Sequence, residues 1–295
     1  MEEVESLRNL AIENERVEGG VRTKDIFKKS ATNRPLVTII TVAYNAEKYI
    51  DQTIRSVLKQ TYENIEYIII DGSSTDATLD IIKKYEDKID YWVSEKDDGI
   101  YDAMNKGIKF SRGDIIGILN ADDWYEKNAV EEVVNVFKKR NVALVHGAMN
   151  RWSASGELIS TYGTKEKFDD LYMAPFNHPT CFFDRTVYET IGLFDRQFET
   201  AADYDFMLRF KQFEYESYYI DKAFTNFRLV GVTSEIEGAP LVQIWKLLRK
   251  NNYSFTKCCR AILYRVFRLF FVKVTSLLCL NKFRVFLRKY LSYHK

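Results

Sequence analysis

Leu36-Val-Thr-Ile-Ile-Thr-Val-Ala43 follows directly on Pro35 and is a near-continuous apolar, β-branched run. A run without polar alternation reads as a strand buried on both faces, the pattern of a parallel sheet covered by helices. Working outward, Ala46 to Gln60 places Ile50, Ile54, Val57 and Leu58 at helical spacing, with Asn45 positioned to cap the segment. Ile65 to Asp71 (IEYIIID) repeats the strand signature and runs into the polar turn Gly72-Ser73-Ser74-Thr75. Next, Asp76 to Tyr85 reads as a helix, Asp90 to Val93 as a short strand and Ile100 to Phe110 as a helix. Asp114 to Asn120 (DIIGILN) reads as a strand and Asn128 to Arg140 as a helix. Strands alternating with helices imply right-handed βαβ units, hence an α/β fold with a mostly parallel sheet.

Past residue 140 the alternation weakens. Val142 to Met149 and Leu158 to Tyr162 suggest a hairpin around Ser153-Ala154-Ser155-Gly156. Phe182 to Ile191 and Tyr204 to Phe213 read as helices, and Tyr215 to Ile220 as a short strand. Residues 1–34 read as a helical or frayed extension broken at Gly19-Gly20.

With 46% hydrophobic and 15% aromatic residues, the 295-residue chain has ample material for one large core. Its net charge of +1 conceals a division. Ala239 to Lys295 carries 13 Lys or Arg and no Asp or Glu, leaving 30 basic against 42 acidic residues in the rest. An acidic body suits cations, and a basic tail suits anionic surfaces. The four cysteines (Cys181, Cys258, Cys259, Cys279) fit no zinc spacing and are too few for a disulfide framework. The acidic N-terminus lacks a signal-peptide layout, so a reducing, cytoplasmic setting is expected. Ala261 to Leu280 is interrupted by Arg265, Arg268 and Lys273, which disfavours a membrane-spanning helix.

Parallel α/β sheets bind ligands beyond the carboxyl ends of their strands. Three strand-end loops therefore carry the candidate chemistry: Tyr44-Asn45, Asp71 to Ser74, and Asn120 to Asp123. Asp122-Asp123 is the sharpest signal. Read on spacing alone, one carboxylate caps the next helix and the other is solvated; alternatively the pair holds Mg²⁺ or Mn²⁺, which bind through one or two carboxylates plus substrate phosphates. Asp71 can accept a base or ribose hydrogen bond or cap a helix. Tyr44 can stack on a base whose edge bonds Thr41, or serve as packing. Asp98-Gly99 opens a helix on which Asn105 and Lys106 are candidates to face a phosphate, or are merely solvated. Asp203, before an amphipathic segment, is either a cap or a general base that takes a proton from an acceptor hydroxyl. His178, within Phe176-Asn177-His178-Pro179-Thr180, is a further candidate beside a structural reading.

Three stretches, TIITVAYNAEKYIDQTIRSVLKQTY, EYIIIDGSSTDAT and GDIIGILNADDW, in this order, resemble the family 2 glycosyltransferases over about residues 35–230. These are the inverting GT-A enzymes. DDGIYDAMNKG and FNHPT are similar to a subgroup that builds bacterial capsule, colanic-type or O-antigen polysaccharide. The resemblance implies a GT-A fold, a mostly parallel Rossmann-like sheet flanked by helices. It implies that Thr41, Tyr44 and Asp71 hold the nucleotide base, usually uracil, with Asp98 near the nucleoside. Asp122 would lie near the ribose, with Asp123 the direct ligand of Mn or Mg. Many members carry Glu-Asp at the base; here Ala202 stands in the Glu position and Asp203 matches the Asp. No Gln-x-x-Arg-Trp motif of the processive polymerases is present, which implies single-sugar transfer.

The expected organisation is an extension (1–34), a catalytic domain (35–238) and a basic amphipathic helical tail (239–295). Cations interleaved with Trp245, Leu247, Leu248, Phe267, Leu269 and Phe270 suit a membrane interface, so the expected location is peripheral, on the inner face of the cytoplasmic membrane. The other reading packs the tail on the acidic body. Expected partners are a nucleotide-sugar donor and a saccharide or lipid-linked saccharide acceptor, and no nucleic acid. Two other functions fit part of the pattern. A sugar-phosphate nucleotidyltransferase would need a Gly-rich, Arg-containing loop where Tyr44-Asn45-Ala46 stands; a non-catalytic nucleotide-sugar-binding scaffold at the membrane would not need the full set of aspartates. A dehydrogenase is disfavoured because no G-x-G-x-x-G follows a strand.

Overall fold

The computed structural model describes residues 16–163, 171–172, 174–229 and 240–277. At its centre lie four parallel strands: β2 (Val37–Ala43), β3 (Ile65–Asp71), β4 (Tyr91–Ser94) and β5 (Ile115–Asn120). Every residue of β2, β3 and β4 is buried, as their largely apolar character favours, and the charged interruption Glu66 is held by Thr38 and Arg22. The other strands are β1 (Val17–Gly19), β6 (Trp124–Tyr125), β7 (Leu144–Trp152), β8 (Leu158–Tyr162), β9 (Phe182–Asp184) and β10 (Ser217–Arg228). The order across the sheet is β1-β4-β3-β2-β5-β9-β7-β10-β6, with β8 paired to β7. Strands β7 and β10 run with the central four, whereas β1, β6, β8 and β9 run against them.

Helices cover both faces. On one, α1 (Ile50–Leu58), α2 (Thr78–Lys83) and α4 (Ala129–Lys139) bury Ile50, Ile54, Val57, Ile82, Val130 and Val133 against Val37, Ile39 and Ala43. On the other, α3 (Ile100–Phe110), α5 (Arg185–Ile191) and α6 (Ala202–Gln212) meet Ile40, Val42, Ile68 and Ile70. Helix α3 lies so close to β2 that a Cβ at Gly107 would collide with the Ile40 side chain.

Four expectations are corrected. Phe182 to Ile191 is not one helix: Asp184 accepts the Thr186 amide at 2.9 Å, which starts α5 at Arg185 and leaves Phe182-Phe183 extended between β5 and β7. The last strand continues past Ile220 to Arg228, with register shifts around Ala223 that absorb the polar Asp221-Lys222 interruption. The described part of the N-terminal extension is not one helix: Val17–Gly19 pairs with β4 as an edge strand, Val21–Lys24 forms a single 3-10 turn and irregular chain follows to residue 34; residues 1–15 lie outside the described residues. Asn45 caps no helix: its Oδ1 accepts the Thr75 amide at 2.9 Å, and Tyr49 precedes α1 without a side-chain cap.

The first part of the basic tail is integral to the core. Helix α7 (Leu241–Lys250) buries Ile244, Leu247 and Leu248 in the cluster that holds Phe206 and Phe210. Helix α8 (Phe255–Leu277) follows it, with Cys258 and Ala261 buried before its surface opens. Leu263, Val266, Phe267 and Phe270 then form an exposed stripe at helical spacing. Among the described residues no helix is long and apolar enough to cross a membrane. Cys279 and residues 278–295 lie outside the described residues.

Candidate active site

Register places the carboxyl ends of the central strands level with one another: Ala43 lies beside Asp71, Asp71 beside Ser94, and Val42 beside Asn120. The loops leaving them therefore share one edge. The first two are latched together, since the Asn45 amide donates to Ser74 Oγ at 2.8 Å and the Ala46 amide to Thr78 Oγ1 at 2.7 Å. Tyr44 projects from this latch and is 65% exposed, available for stacking. Thr41 does not join it. Two residues back from Ala43, it faces the sheet interior, where its hydroxyl meets that of Tyr67 at 3.1 Å. Asp71 is buried and holds its own turn, accepting the Ser74 amide (3.0 Å), Ser74 Oγ (2.5 Å) and Ser94 Oγ (2.7 Å).

Neither Asp122 nor Asp123 caps α4, whose preceding residue is Asn128. Asp123 is wholly buried. Its Oδ1 accepts the Arg228 amide at 3.0 Å, while among the described residues its Oδ2 has no hydrogen-bond partner within bonding geometry, the nearby Asn120 side chain only lowering the carboxyl's pKa. Burial, and secondarily Asp122, pushes the Asp123 carboxyl well above the ordinary carboxylate range. Burial likewise pushes Asp122 up to about 6. Two adjacent carboxylates with one orphaned oxygen are a site that a cation or a proton must complete. Among the described residues no cluster of three or more His, Cys, Asp or Glu exists. The donor set therefore fits Mg²⁺ or Mn²⁺ held by two carboxylates with substrate phosphates as further ligands, rather than an all-protein cage.

Sequence reasoning missed Arg228, the buried terminus of β10. Its guanidinium lies between the rings of Tyr49 (4.6 Å) and Trp124 (4.8 Å) and donates to Gln52 Oε1 at 2.7 Å. It also opposes the upward shift of both aspartates. The signal in the sequence was weak, a cation closing the mixed segment Ala223 to Arg228, 105 positions from Asp123.

The loop after β4 leads into α3 through Gly99, whose φ of 100° favours glycine. Asp98 does not face the donor loops, because its carboxylate pairs with Arg196 at 2.8 Å near the surface. Its neighbour Asp97 takes that position: a Cβ on Gly72 would lie 2.5 Å from Asp97 Oδ2. Asn105 is likewise occupied. It donates to the Phe194 carbonyl (2.9 Å) and accepts the Phe194 amide (3.0 Å), pinning α3 to the chain that precedes α6. Lys106 is held by Glu95 at 2.8 Å and by the Lys96 carbonyl at 2.9 Å. Both side chains are thus engaged in holding α3 to its neighbours.

At the start of α6, Asp203 Oδ1 accepts the Tyr101 hydroxyl and the Tyr204 amide, each at 2.9 Å. Tyr101 belongs to the first turn of α3, so Asp203 stands at the same sheet edge as Asp71 and Asp123. His178 opens a single helical turn (His178–Thr180) and its ring meets Phe194 edge-on at 5.7 Å. Burial lowers its pKa while nearby Asp203 raises it.

A parallel sheet with latched loops at its carboxyl edge, an aspartate pair and a further aspartate across the opening define the GT-A class of glycosyltransferases. The chain belongs to glycosyl transferase family 2, whose model matches residues 38–192. An uncharacterised glycosyltransferase of Rickettsia typhi is 34% identical over 205 residues, covering 65% of this chain and 63% of that protein. Chondroitin synthase of Escherichia coli is 32% identical over 65% of this chain and 29% of its own length. The chain thus spans less than two thirds of either relative. In fold it is similar to S. aureus TarS 1–349 in complex with UDP-GlcNAc (TM-score 0.60, 17% identity, 77% of this chain and 70% of that one). It is also similar to the mannosyltransferase PcManGT of Pyrobaculum calidifontis in complex with GDP-Man and Mn²⁺ (TM-score 0.59, 17% identity, 82% and 72%).

Proposed function

We propose that the chain moves one sugar from a nucleotide-sugar, a UDP-sugar in the first instance, to a saccharide with inversion, in the assembly of a cell-surface polysaccharide on a lipid-linked acceptor. The observation that carries this reading is the unpartnered, buried Oδ2 of Asp123 beside Asp122 at the carboxyl edge of the sheet. The nucleotide-sugar complexes of the two similar folds support the donor class, and the Mn²⁺ of one supports the cation.

Asp122 and Asp123 would hold the cation, which when bound neutralises charge that develops on the departing diphosphate. Tyr44 offers its ring to the base, and the Asp71 turn shapes that pocket. Arg228 adds a fixed positive charge beside the aspartates. Asp203 takes the proton of the acceptor hydroxyl, and a base opposite the leaving group yields inversion.

The test is nucleoside diphosphate release from a donor panel with Mn²⁺, with Mg²⁺ and with chelator. Release only with cation is expected. Turnover in chelator overturns the metal assignment. Donor binding without release favours a scaffold, and pyrophosphate release from a nucleoside triphosphate and a sugar phosphate favours a nucleotidyltransferase.

Membrane contact rests on α8. Its stripe of Leu263, Val266, Phe267 and Phe270 is exposed and flanked by exposed Arg260 and Arg268. Each cation near an anionic surface contributes about 1 kcal/mol, and the aromatic rings add apolar burial. Full-length chain should co-sediment with phosphatidylglycerol-containing vesicles and far less with neutral ones, and Phe267→Asp with Phe270→Asp should abolish the difference. Equal recovery of variant and parent in the anionic pellet removes this contact.

A further inference from the structure

We infer that Tyr101 is a positioning residue for the transfer reaction: its hydroxyl orients the Asp203 carboxylate so that Oδ2 faces the acceptor. The inference rests on Asp203 being the base proposed above. It begins with an asymmetry. Both hydrogen bonds to Asp203, from the Tyr101 hydroxyl and the Tyr204 amide, fall on Oδ1 at 2.9 Å; among the described residues Oδ2 receives none. A carboxylate held by two donors on one oxygen cannot rotate freely, and its other oxygen keeps both lone pairs for a substrate proton.

The placement of Tyr101 follows from the backbone. Helix α6 has no side-chain cap of its own, since Ala201 precedes it. The amides of Ala202 and Asp203 instead lie against the Tyr101 phenol oxygen. The Tyr101 hydroxyl donates to the Asp203 carboxylate, and its oxygen sits beside the orphan amides of the helix start. Burial, followed by Asp203, raises the Tyr101 pKa well above that of a free phenol, so the donor proton stays in place at any working pH. The ring is separately fixed against Phe194, with centroids 5.6 Å apart, so packing and hydrogen bonding can be separated by substitution.

In the step itself, the acceptor O–H proton passes to Asp203 Oδ2 while the acceptor oxygen bonds the anomeric carbon. The bond from that carbon to the diphosphate breaks, and its electron pair leaves with the nucleoside diphosphate. Among the described residues the titratable groups that face Asp203 are Tyr101 from α3 and His178 and Cys181 from the turn after Asn177. Burial lowers the His178 pKa and pushes the Cys181 thiol up, which favours the neutral form of each, and neither hydrogen-bonds Asp203.

The experiment uses the full chain with saturating cation. Tyr101→Phe keeps the ring and removes the hydroxyl. We expect kcat to fall roughly 10- to 100-fold, the range for losing a hydrogen bond to a charged group, with donor KM unchanged. A carboxylate that loses a donor is harder to ionise, so the acid limb of the kcat profile should move to higher pH. A 3,5-difluorotyrosine at position 101 folds as the parent and donates more strongly, so it should move that limb to lower pH. Added to Asp203→Asn, Tyr101→Phe should cause no further loss. Acid limbs unmoved by both replacements, or a full additional loss on the Asp203→Asn background, overturn the positioning role. If Asp203→Asn is inactive and Tyr101→Phe transfers at the parent rate, this inference alone falls. If Asp203→Asn transfers normally, the base assignment falls and takes this inference with it.

Discussion

Asp123→Asn is expected to lower cation-supported transfer by on the order of 10³-fold, since a cation at a departing diphosphate contributes several kcal/mol to the transition state. Asparagine keeps the shape of the side chain and an oxygen for the Arg228 amide, so the 3.0 Å tie to β10 survives. What disappears is the negative charge on an oxygen that has no hydrogen-bond partner among the described residues. For the same reason the variant should melt at a higher temperature than the cation-free parent, because a buried carboxylate without a partner opposes folding. Mn²⁺ should raise the melting temperature of the parent and leave the variant unmoved. Acidity offers an independent reading. Asp122 is pushed up to about 6, so protons compete with the cation below that value and Mn²⁺ affinity should rise as pH climbs through it. A variant that still transfers in a Mn²⁺-dependent way removes Asp123 from the site.

The second large effect concerns stability. Asp205→Ala should destabilise the chain by roughly 3–5 kcal/mol, the range for removing one partner of a buried charged network. Asp205 is completely buried and accepts Arg209 Nε (2.9 Å), Lys250 Nζ (3.0 Å) and Asn251 Nδ2 (2.9 Å). Two of these donors belong to α7 and the residue after it, so this carboxylate joins the basic tail to the helix that carries Asp203. Alanine would remove the shared acceptor of buried Asn251 and two cations, leaving Asn251 to the Leu247 carbonyl, Lys250 to Asp195 and Arg209 to the Ile191 and Leu193 carbonyls. Urea midpoints for Asp205→Ala, Lys250→Ala and the double variant measure the coupling. A loss below about 1 kcal/mol would place Asp205 among ordinary surface ion pairs.

Much of the fold was legible because β2, β3 and β5 are saturated with Ile and Val, which leaves little room for another reading. The strand-end rule then pointed to Asp71, Asp122 and Asp123 without coordinates. Side-chain direction was not legible. Thr41 and Tyr44 are three residues apart, yet one bonds Tyr67 in the core and the other faces solvent. Asn105 looked free on a helix surface because its partner, the Phe194 backbone, lies 89 positions away. Arg228 was hidden for the same reason, and the polar pair Asp221-Lys222 concealed the strand that delivers it. Composition left the tail with two readings, on a membrane or on the body, and only the burial of Ile244, Leu247 and Leu248 shows that its first helix packs on the body.

Helix α3 is tied to the following half of the chain at three points, through Arg196 to Asp98 and Asp102, Asn105 to Phe194, and Tyr101 to Asp203. All three ties cross residue 192, where the family match stops. The inherited module and the mechanical module are therefore different pieces. A chimera cut at the family boundary would pair one protein's α3 with a foreign landing strip for Tyr101, Asn105 and Asp102. Exchange of acceptor preference between relatives should succeed only when α3 travels with the segment from Arg185 to Gln212.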